Sequence, residues 1–196
     1  MFHLTRRVYH DIFEKPVGHI TILGLDSAGK TSFLNHVRSK FHQNVIQPIM
    51  PTLGQNFAAF SYRGFALKLW DIGGQENFRK SWHHYYAETS ALIYVMDSSD
   101  TSRITEGLSA LKDVVTAEAF GAHVPVCLCL NKHDIESAMP IEEFKETYGE
   151  QLAVLDGRDS TLMATSSLWT DDRTPESGTV VAALNWAVDA IKRAKK

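Results

Sequence analysis

Short apolar runs alternate along this chain with longer segments whose apolar positions recur every three or four residues. The runs have the length of buried strands, and Gly, Pro or polar residues bound them. An early pair of runs flanks the turn Arg63-Gly64 and predicts a hairpin across residues 54–71. The predicted strands cover residues 17–23, 56–62, 65–70, 91–96, 124–130 and 162–165.

Helical periodicity fills most of the stretches between these strands. The predicted helices cover residues 30–38, 103–117, 141–148 and 180–193. In the last of them, a stripe that faces the core is formed by Val181, Leu184, Val188 and Ile191. Alternation of strand and helix after one early hairpin predicts an α/β fold. We expect a six-stranded, mostly parallel sheet with one antiparallel strand and helices on both faces, whose ligands bind at the carboxyl ends of the strands.

Composition limits the classes of function. The 196 residues suffice for one sizeable domain, and a net charge of −3 argues against a nucleic-acid partner. Cys127 and Cys129 stand too close along one strand to bridge easily, so we predict buried free thiols in a reducing compartment. Because no apolar run approaches a membrane span and no signal-peptide core is visible, we expect a cytosolic protein or one attached to a membrane from the cytosolic side.

A glycine-rich loop directly follows the first predicted strand. It reads Gly24-Leu25-Asp26-Ser27-Ala28-Gly29-Lys30-Thr31 and matches the phosphate-binding pattern G-x-x-x-x-G-K-[ST] in its strand–loop–helix setting. Its backbone N–H groups turn toward phosphate oxygens, as does the positive end of the following helix, which continues with Ser32. Lys30 supplies a charge for the β- and γ-phosphates, and the Thr31 hydroxyl is a ligand for Mg²⁺. The loop predicts a nucleoside triphosphate without specifying its base.

Two further loops after predicted strands narrow the chemistry. Asp71 is placed to hold Mg²⁺ through water, the pair Gly73-Gly74 lets a backbone N–H approach a terminal phosphate, and Gln75 is placed to orient an attacking water. Asn131-Lys132-His133-Asp134 follows the strand that contains the cysteines. A carboxylate at its end can accept hydrogen bonds from the N1–H and 2-amino groups of guanine, which adenine does not offer. Together the loops predict a guanine nucleotide.

These motifs resemble those of the Arf/Arl branch of the Ras-like small GTPases. The matching segments are GLDSAGKT at 24–31, PT at 51–52, WDIGGQE at 70–76 and NKHD at 131–134, and the resemblance spans nearly the whole chain. It implies a single Ras-like G domain that binds GTP or GDP with Mg²⁺ and hydrolyses GTP. Thr52 would reach Mg²⁺ only when a γ-phosphate is present, and Gly74 would bond that phosphate through its N–H.

The resemblance also assigns the residues that contact the base. Asn131, Lys132 and Asp134 would hold guanine, and the last base-contacting loop would be Ser166-Ser167-Leu168. Ser167 stands where the family usually has Ala, and His133 replaces the usual Gln. Residues 169–179 are longer than the family's connection to the last helix, and we interpret them as a surface insertion.

The amino terminus reads as an amphipathic helix over residues 1–15, followed by the G domain at 16–196. Its apolar residues fall within about half of a helical wheel, and these are Phe2, Leu4, Val8, Tyr9, Ile12 and Phe13. The residues alone favour a helix that simply lies on the core. The resemblance implies that it packs in a groove with GDP bound and leaves that groove with GTP, as the hairpin at 54–71 shifts. Since residue 2 is Phe, N-myristoylation is excluded, and we expect a membrane-protein receptor to share the anchoring.

Three segments resemble in particular the Arf-related proteins of the trans-Golgi. They are residues 1–4, 85–88 and 114–119, and the Met-Phe start also resembles a site of amino-terminal acetylation. This resemblance implies a monomer that cycles between the cytoplasm and the cytosolic face of the trans-Golgi in vesicle trafficking. It implies as partners an exchange factor, a GTPase-activating protein and effectors that bind the switch regions and the 54–71 hairpin. A generic Arl protein at a different membrane is the alternative.

Two other classes of function also use a phosphate loop of this kind. A metabolic phosphotransferase would need an Arg-rich lid, whereas the arginines of this chain are sparse and scattered. A nucleotide-locked binding module is disfavoured because Gln75, Thr52 and Lys30 are all present. We expect slow unaided hydrolysis, because Asp26 adds negative charge near the transferring phosphoryl and Arg79 is interpreted as a solvated helix residue.

Overall fold

The computed structural model describes residues 15–41, 54–167 and 180–194. A single six-stranded sheet runs through them in the order β2-β3-β1-β4-β5-β6. Only β2 is antiparallel to its neighbour, β3, and every other pairing is parallel. The strands are β1 (Val17–Leu23), β2 (Gln55–Tyr62), β3 (Phe65–Ile72), β4 (Ala91–Asp97), β5 (Val126–Asn131) and β6 (Ser160–Ala164). This sheet confirms the predicted fold class.

Six α-helices lie within the described ranges, four of them long. The long helices are α1 (Lys30–Lys40), α4 (Ile104–Thr116), α5 (Ile141–Leu152) and α6 (Val180–Ala194). The single-turn helices α2 (Glu76–Arg79) and α3 (His83–Tyr86) were not predicted, because four residues are too few to show a helical period. Short 3₁₀ turns cover Thr101–Arg103, Glu118–Phe120 and Ala153–Leu155. None of the helices in these ranges is long and apolar enough to cross a membrane.

Two apolar clusters fill the space on the two faces of the sheet. One packs α1 and α6 on the sheet, and the other packs α4, α5 and the short helix α3 on the opposite face. In α6 the predicted stripe is right at Leu184, Val188 and Ile191 and wrong at Val181, which is only half-buried. Val180 takes its place because it lies four residues before Leu184, on the same face of the helix.

The turn and the thiols follow the sequence predictions. Arg63 and Gly64 join β2 to β3 with φ of 46° and 89°, the two left-handed residues that a tight type I′ hairpin turn requires. Cys127 and Cys129 are free and fully buried, with their sulfurs 3.7 Å apart. The contact with Cys127, together with burial, raises the pKa of the Cys129 thiol, so it stays protonated and unreactive.

Several predictions fall on residues outside the described ranges. These are the predicted amino-terminal helix, the predicted Mg²⁺ ligand Thr52, Leu168 of the last base-contacting loop and the insertion at 169–179. The division into residues 1–15 and 16–196 therefore stays a prediction.

Candidate nucleotide-binding site

The glycine-rich loop joins β1 to α1 and is pressed closely against its neighbours. Gly24 has φ of 143°, and a Cβ there would lie 2.0 Å from the carbonyl oxygen of Val95 in β4. Gly29 has φ of 95°, and a Cβ there would lie 2.2 Å from the amide nitrogen of Asn131. Both positions therefore require glycine. Ser27 also lies at positive φ in this tight loop, and Lys30, Thr31 and Ser32 open α1.

Lys30 is a buried cation within this loop. Its Nζ donates a 2.6 Å hydrogen bond to the carbonyl oxygen of Leu25. Burial lowers the pKa of Lys30 to about 8, although the carboxylates of Asp71 and Asp26 partly oppose this shift. An anionic group beside the loop would raise the pKa again by favouring the charged ammonium. The loop thus has the electrostatics of an anion site.

Thr31, a predicted ligand of Mg²⁺, and Asp71, predicted to hold the ion through water, meet in the structure. The Thr31 hydroxyl donates to Asp71 Oδ2 at 2.7 Å, and the side-chain amide of Asn56 donates to the same oxygen at 3.1 Å. Asp71 is fully buried at the end of β3. Hydroxyl and carboxylate oxygens are ligands that Mg²⁺ prefers, so these residues fit the ion. Asn56 was not predicted, since only the pairing of β2 with β3 brings it opposite Asp71.

The Gly73-Gly74 segment lies directly on the glycine-rich loop. A Cβ on Gly74 would lie 2.4 Å from the carbonyl oxygen of Gly24 and 2.5 Å from the amide nitrogen of Asp26. Gln75 follows as the extended, half-buried residue that caps α2. The residues predicted to approach the terminal phosphate and the attacking water therefore stand at the edge of the phosphate loop.

Arg79 is not the solvated residue that the sequence suggested. Its Nε donates a 3.2 Å hydrogen bond to the carbonyl oxygen of Gly74, and its Nη2 lies 2.5 Å from Glu106 of α4. The single-turn helix α2 directs this residue, its last, back toward the glycine pair instead of into solvent. This contact corrects the sequence-based interpretation, and periodicity could not reveal it within a helix of one turn.

Arg103 is a functional candidate that the sequence analysis missed. Its guanidinium donates to Asp26 Oδ1 at 2.7 Å and to the Asp26 carbonyl oxygen at 3.3 Å, and it also contacts Glu106 at 3.2 Å. The hydrogen bond from Arg103 is the largest cause that lowers the pKa of Asp26, so the carboxylate stays charged but paired. A signal was available, because Arg103 follows β4 at the same carboxyl edge of the sheet as the glycine-rich loop.

Asn131 joins the predicted base-contacting segment to the phosphate loop. Its side-chain nitrogen donates a 2.8 Å hydrogen bond to the carbonyl oxygen of Ala28. Its side-chain oxygen accepts from the hydroxyls of Thr165 at 3.2 Å and Ser167 at 2.9 Å. The residue is almost completely buried. The serine at 167 thus supplies a hydrogen bond that the family's usual alanine cannot make.

The other base-contacting candidates gather beside Asn131. Ser166 donates to Asp134 Oδ1 at 2.5 Å, and Lys132 Nζ lies 2.5 Å from Asp97 Oδ2. Burial alone would raise the pKa of Asp97, but hydrogen bonds from Lys132 and Ser99 outweigh it and lower that pKa. Lys132 is held at a left-handed φ of 63°. The structure therefore brings together every predicted base-contacting residue in the described ranges, and it adds Asp97 and Thr165.

Comparison with known proteins supports the same class. The model of the ADP-ribosylation factor family matches residues 6–184. ADP-ribosylation factor-like protein 3 of Saccharomyces cerevisiae is 35% identical over 199 residues, covering 100% of this chain and 96% of that protein. Human ADP-ribosylation factor-related protein 1 is 37% identical over 172 residues, covering 86% of this chain and 85% of that protein. The structure of the Arl6 BBS3 small GTPase from Trypanosoma brucei with the nucleotide analogue GppNp has a TM-score of 0.76 at 26% identity, covering 91% of this chain and 99% of that one.

The sheet order, with a phosphate loop after β1 and an antiparallel edge strand, is the fold of a small GTPase. Such proteins bind GTP and GDP, hydrolyse GTP and act as GTP-dependent switches with exchange factors, activating proteins and effectors. This chain belongs to the ADP-ribosylation factor family, within its Arf-like and Arf-related branch.

Proposed function

We propose that this Arf-like GTPase recruits effectors to Golgi-type membranes in vesicle trafficking and hydrolyses GTP with the help of a partner. The observation that carries the switch is the contact of Gly74 with the phosphate loop, where a Cβ would lie 2.4 Å from Gly24. The Gly74 backbone, which would bind the γ-phosphate, therefore lies beside the loop that would hold the other phosphates. Hydrolysis then removes the anchor of the Gly73-Gly74 segment, while the rest of the nucleotide stays bound.

The residues divide the chemistry among them. Lys30 holds the β- and γ-phosphates, the Gly74 N–H binds the γ-phosphate, and Gln75 orients the attacking water. Thr31 and Thr52 would ligate Mg²⁺ directly, and Asp71 would do so through water. When bound, the ion neutralises charge on the phosphates. The protein's part is to place these groups before the reaction begins, since phosphoryl transfer depends on positioning and electrostatics.

Guanine selectivity is proposed to rest on Asp134, whose carboxylate is oriented by Ser166 at 2.5 Å. In an Asp134→Asn variant the guanine N1–H and 2-amino donors lose their charged partner, a loss of roughly 2–5 kcal/mol. We expect GTP and GDP to bind much more weakly and xanthine nucleotides to be favoured. A fluorescent-nucleotide competition assay measures this, with Glu136→Gln as a control that removes an exposed carboxylate nearby. Unchanged GDP affinity in Asp134→Asn would reject the base-reading role.

The Golgi assignment draws its support from the likeness to Arf-related proteins. We propose anchoring through the amphipathic helix that the sequence predicts at residues 1–15, shared with a membrane-protein receptor, and effector binding at the switch regions and the 54–71 hairpin. Fluorescence microscopy of the tagged full chain against a trans-Golgi marker tests this proposal. The Thr31→Asn variant, which should bind GTP poorly, is expected to become cytosolic. Stable residence of the wild-type chain at another membrane would contradict the Golgi role and favour a different Arf-like function.

A further inference from the structure

The peptide between Gly73 and Gly74 has a hydrogen-bond partner in the protein core. The carbonyl oxygen of Gly73 accepts a 3.0 Å hydrogen bond from the indole Nε1–H of Trp82. This carbonyl shares one peptide plane with the N–H of Gly74. In a planar trans peptide the C=O and N–H groups point in opposite directions. A side chain that fixes the Gly73 carbonyl therefore also fixes the direction of the Gly74 N–H.

An outside anchor matters here because the peptide lies between two glycines. Neighbouring glycines restrict rotation of a peptide plane very little, so the plane is held mainly by its hydrogen bonds. The flanking peptides are held as well, since the Gly73 N–H donates to the carbonyl oxygen of Gly54 at 2.9 Å and the Gly74 carbonyl accepts from Arg79 at 3.2 Å. Trp82 is the residue that acts on the peptide carrying the Gly74 N–H itself.

Trp82 is well suited to be a fixed donor. Its side chain is 2% exposed and packs edge to face on the ring of Tyr94, with the ring centroids 6.5 Å apart. Tyr94 is in turn fixed by a 2.7 Å hydrogen bond from its hydroxyl to the carbonyl oxygen of Gly107 in α4. The indole has a single N–H donor, and that N–H is hydrogen-bonded to the Gly73 carbonyl oxygen. The direction of the Gly74 N–H is thus set from the protein core.

We propose that Trp82 is a positioning residue for recognition of the γ-phosphate, acting through the Gly73–Gly74 peptide without touching the nucleotide. This inference rests on the proposed binding of the γ-phosphate by the Gly74 N–H. Its consequence is selective. Loss of the indole donor weakens the binding of GTP, whereas GDP, which has no γ-phosphate, binds as before.

The test compares Trp82→Phe with the wild-type chain. Phenylalanine keeps an aromatic ring in the core but removes the donor. The affinities for GDP and for a non-hydrolysable GTP analogue are measured by competition in the presence of Mg²⁺. We expect the ratio of GTP-analogue to GDP affinity to fall about two- to tenfold, the range for one neutral hydrogen bond, with unchanged GDP affinity. Trp186→Phe, the same substitution in α6 on the other side of the sheet, should leave the ratio unchanged.

Amide exchange of Gly74, followed by NMR with ¹⁵N-glycine, separates this inference from the role of Gly74 itself. In the wild-type chain the Gly74 amide should exchange more slowly with the GTP analogue than with GDP, and in Trp82→Phe this protection should shrink. If wild-type protection is the same in both states, the proposed role of Gly74 fails. If the wild type shows the difference and Trp82→Phe retains it in full, only the role of Trp82 fails.

A second substitution covers the case in which Trp82→Phe is poorly folded. Benzothienylalanine at position 82 keeps the two-ring shape and replaces the N–H with sulfur, so it removes the donor without opening a cavity. Thermal unfolding of the GDP-bound form checks the fold of both variants. An equal loss of GDP and GTP-analogue affinity in the benzothienyl variant would show a purely structural role and overturn the proposal.

Discussion

Asn131 makes three side-chain hydrogen bonds, one to the phosphate loop and two to the loop that follows β6. Its amide nitrogen donates to Ala28, and its oxygen accepts from Thr165 and Ser167. The two hydroxyls fix which end of the amide faces the loop, since only the nitrogen can donate to the Ala28 carbonyl. The orientation of this proposed base-contacting side chain is therefore set by Thr165 and by a serine that the family pattern does not include.

Ser167→Ala should accelerate nucleotide release. The variant removes one of the two hydroxyl donors to Asn131, a net change of about 0.5–1.5 kcal/mol. We expect GDP and the GTP analogue to dissociate about two- to tenfold faster, to the same extent, because this contact is remote from the γ-phosphate. Dissociation of a fluorescent nucleotide in the presence of Mg²⁺ measures the rate. Ser160→Ala, at the exposed start of β6, is the control, and equal release rates in wild type and Ser167→Ala would contradict the prediction.

At the scale of elements, Arg158 holds the connection between α4 and β5. Its guanidinium donates to the carbonyl oxygens of Gly121 at 2.9 Å, Val124 at 2.6 Å and Val115 at 3.2 Å. It also lies 5.3 Å from the centroid of the Phe120 ring. These carbonyls come from the end of α4 and the loop beyond it, where backbone groups have no partner within a helix. The planar fork thus fixes the start of the strand whose other end carries Asn131.

Arg158→Ala should destabilise the GDP-bound protein by about 2 kcal/mol. A hydrogen bond from a charged donor is worth about 1.5–3 kcal/mol, but Arg158 is only half-buried, so water replaces much of what the three carbonyls lose. For a chain of this size the melting temperature should fall by about 4–8 °C. Arg158→Lys should recover little, since a single ammonium cannot reproduce the fork. Thermal unfolding with saturating GDP measures both variants.

The matched control is Arg193→Ala. Arg193 pairs with Asp159 at 2.9 Å, but both side chains are roughly half exposed. Exposed pairs of this kind contribute about 0–1 kcal/mol, so the melting temperature should change little. If Arg158→Ala and Arg193→Ala shifted the melting temperature equally, the special role of the half-buried Arg158 guanidinium would be contradicted.

The succession of strands along the chain and the positions of the loops could be predicted because each depends on local pattern. Apolar runs define the strands, and the glycine-rich loop, Asp71 and Asn131 follow strand ends at spacings that a parallel sheet brings to one edge. The contacts that orient these residues could not be predicted. Ser167 reaches Asn131 across 36 residues and Arg103 reaches Asp26 across 77, and no local period records such pairs.

The environments of residues in and beside the single-turn helices could not be predicted either. Arg79 was interpreted as solvated because α2 has only four residues and shows no buried face in the sequence. Its true environment comes from tertiary packing, since Glu106 of α4 and the carbonyl of Gly74 compete successfully with water for its guanidinium. The same holds for Trp82, because the hydrogen bond from its indole N–H to the Gly73 carbonyl also depends on tertiary packing.

For the molecule as a whole, the charges around the phosphate loop form one connected group. Arg103 pairs with Asp26 and Glu106, and Arg79 pairs with Glu106 and the Gly74 carbonyl. Arg103 partly neutralises the charge of the Asp26 carboxylate. Asp26 should therefore repel an anionic transition state less than the sequence suggested. The same pairings hold both guanidinium groups on protein oxygens. Neither arginine is therefore presented as a donor to the transferring phosphoryl.

Unaided hydrolysis should consequently be slow. An arginine that stabilises the transferring phosphoryl is worth roughly 10³–10⁵ in rate among GTPases, and here we expect a partner to supply it. Single-turnover hydrolysis of the purified, GTP-loaded chain measures the unaided rate, and addition of an extract from the source cells measures the stimulated rate. Gln75→Leu is the control, since it should bind GTP but hydrolyse it neither alone nor with the extract. Completion within seconds without a partner would show that the chain already carries a full catalytic set. A slow unaided rate that the extract accelerates, together with an unresponsive Gln75→Leu, would instead place the missing charge in the partner and the water-orienting group in this chain.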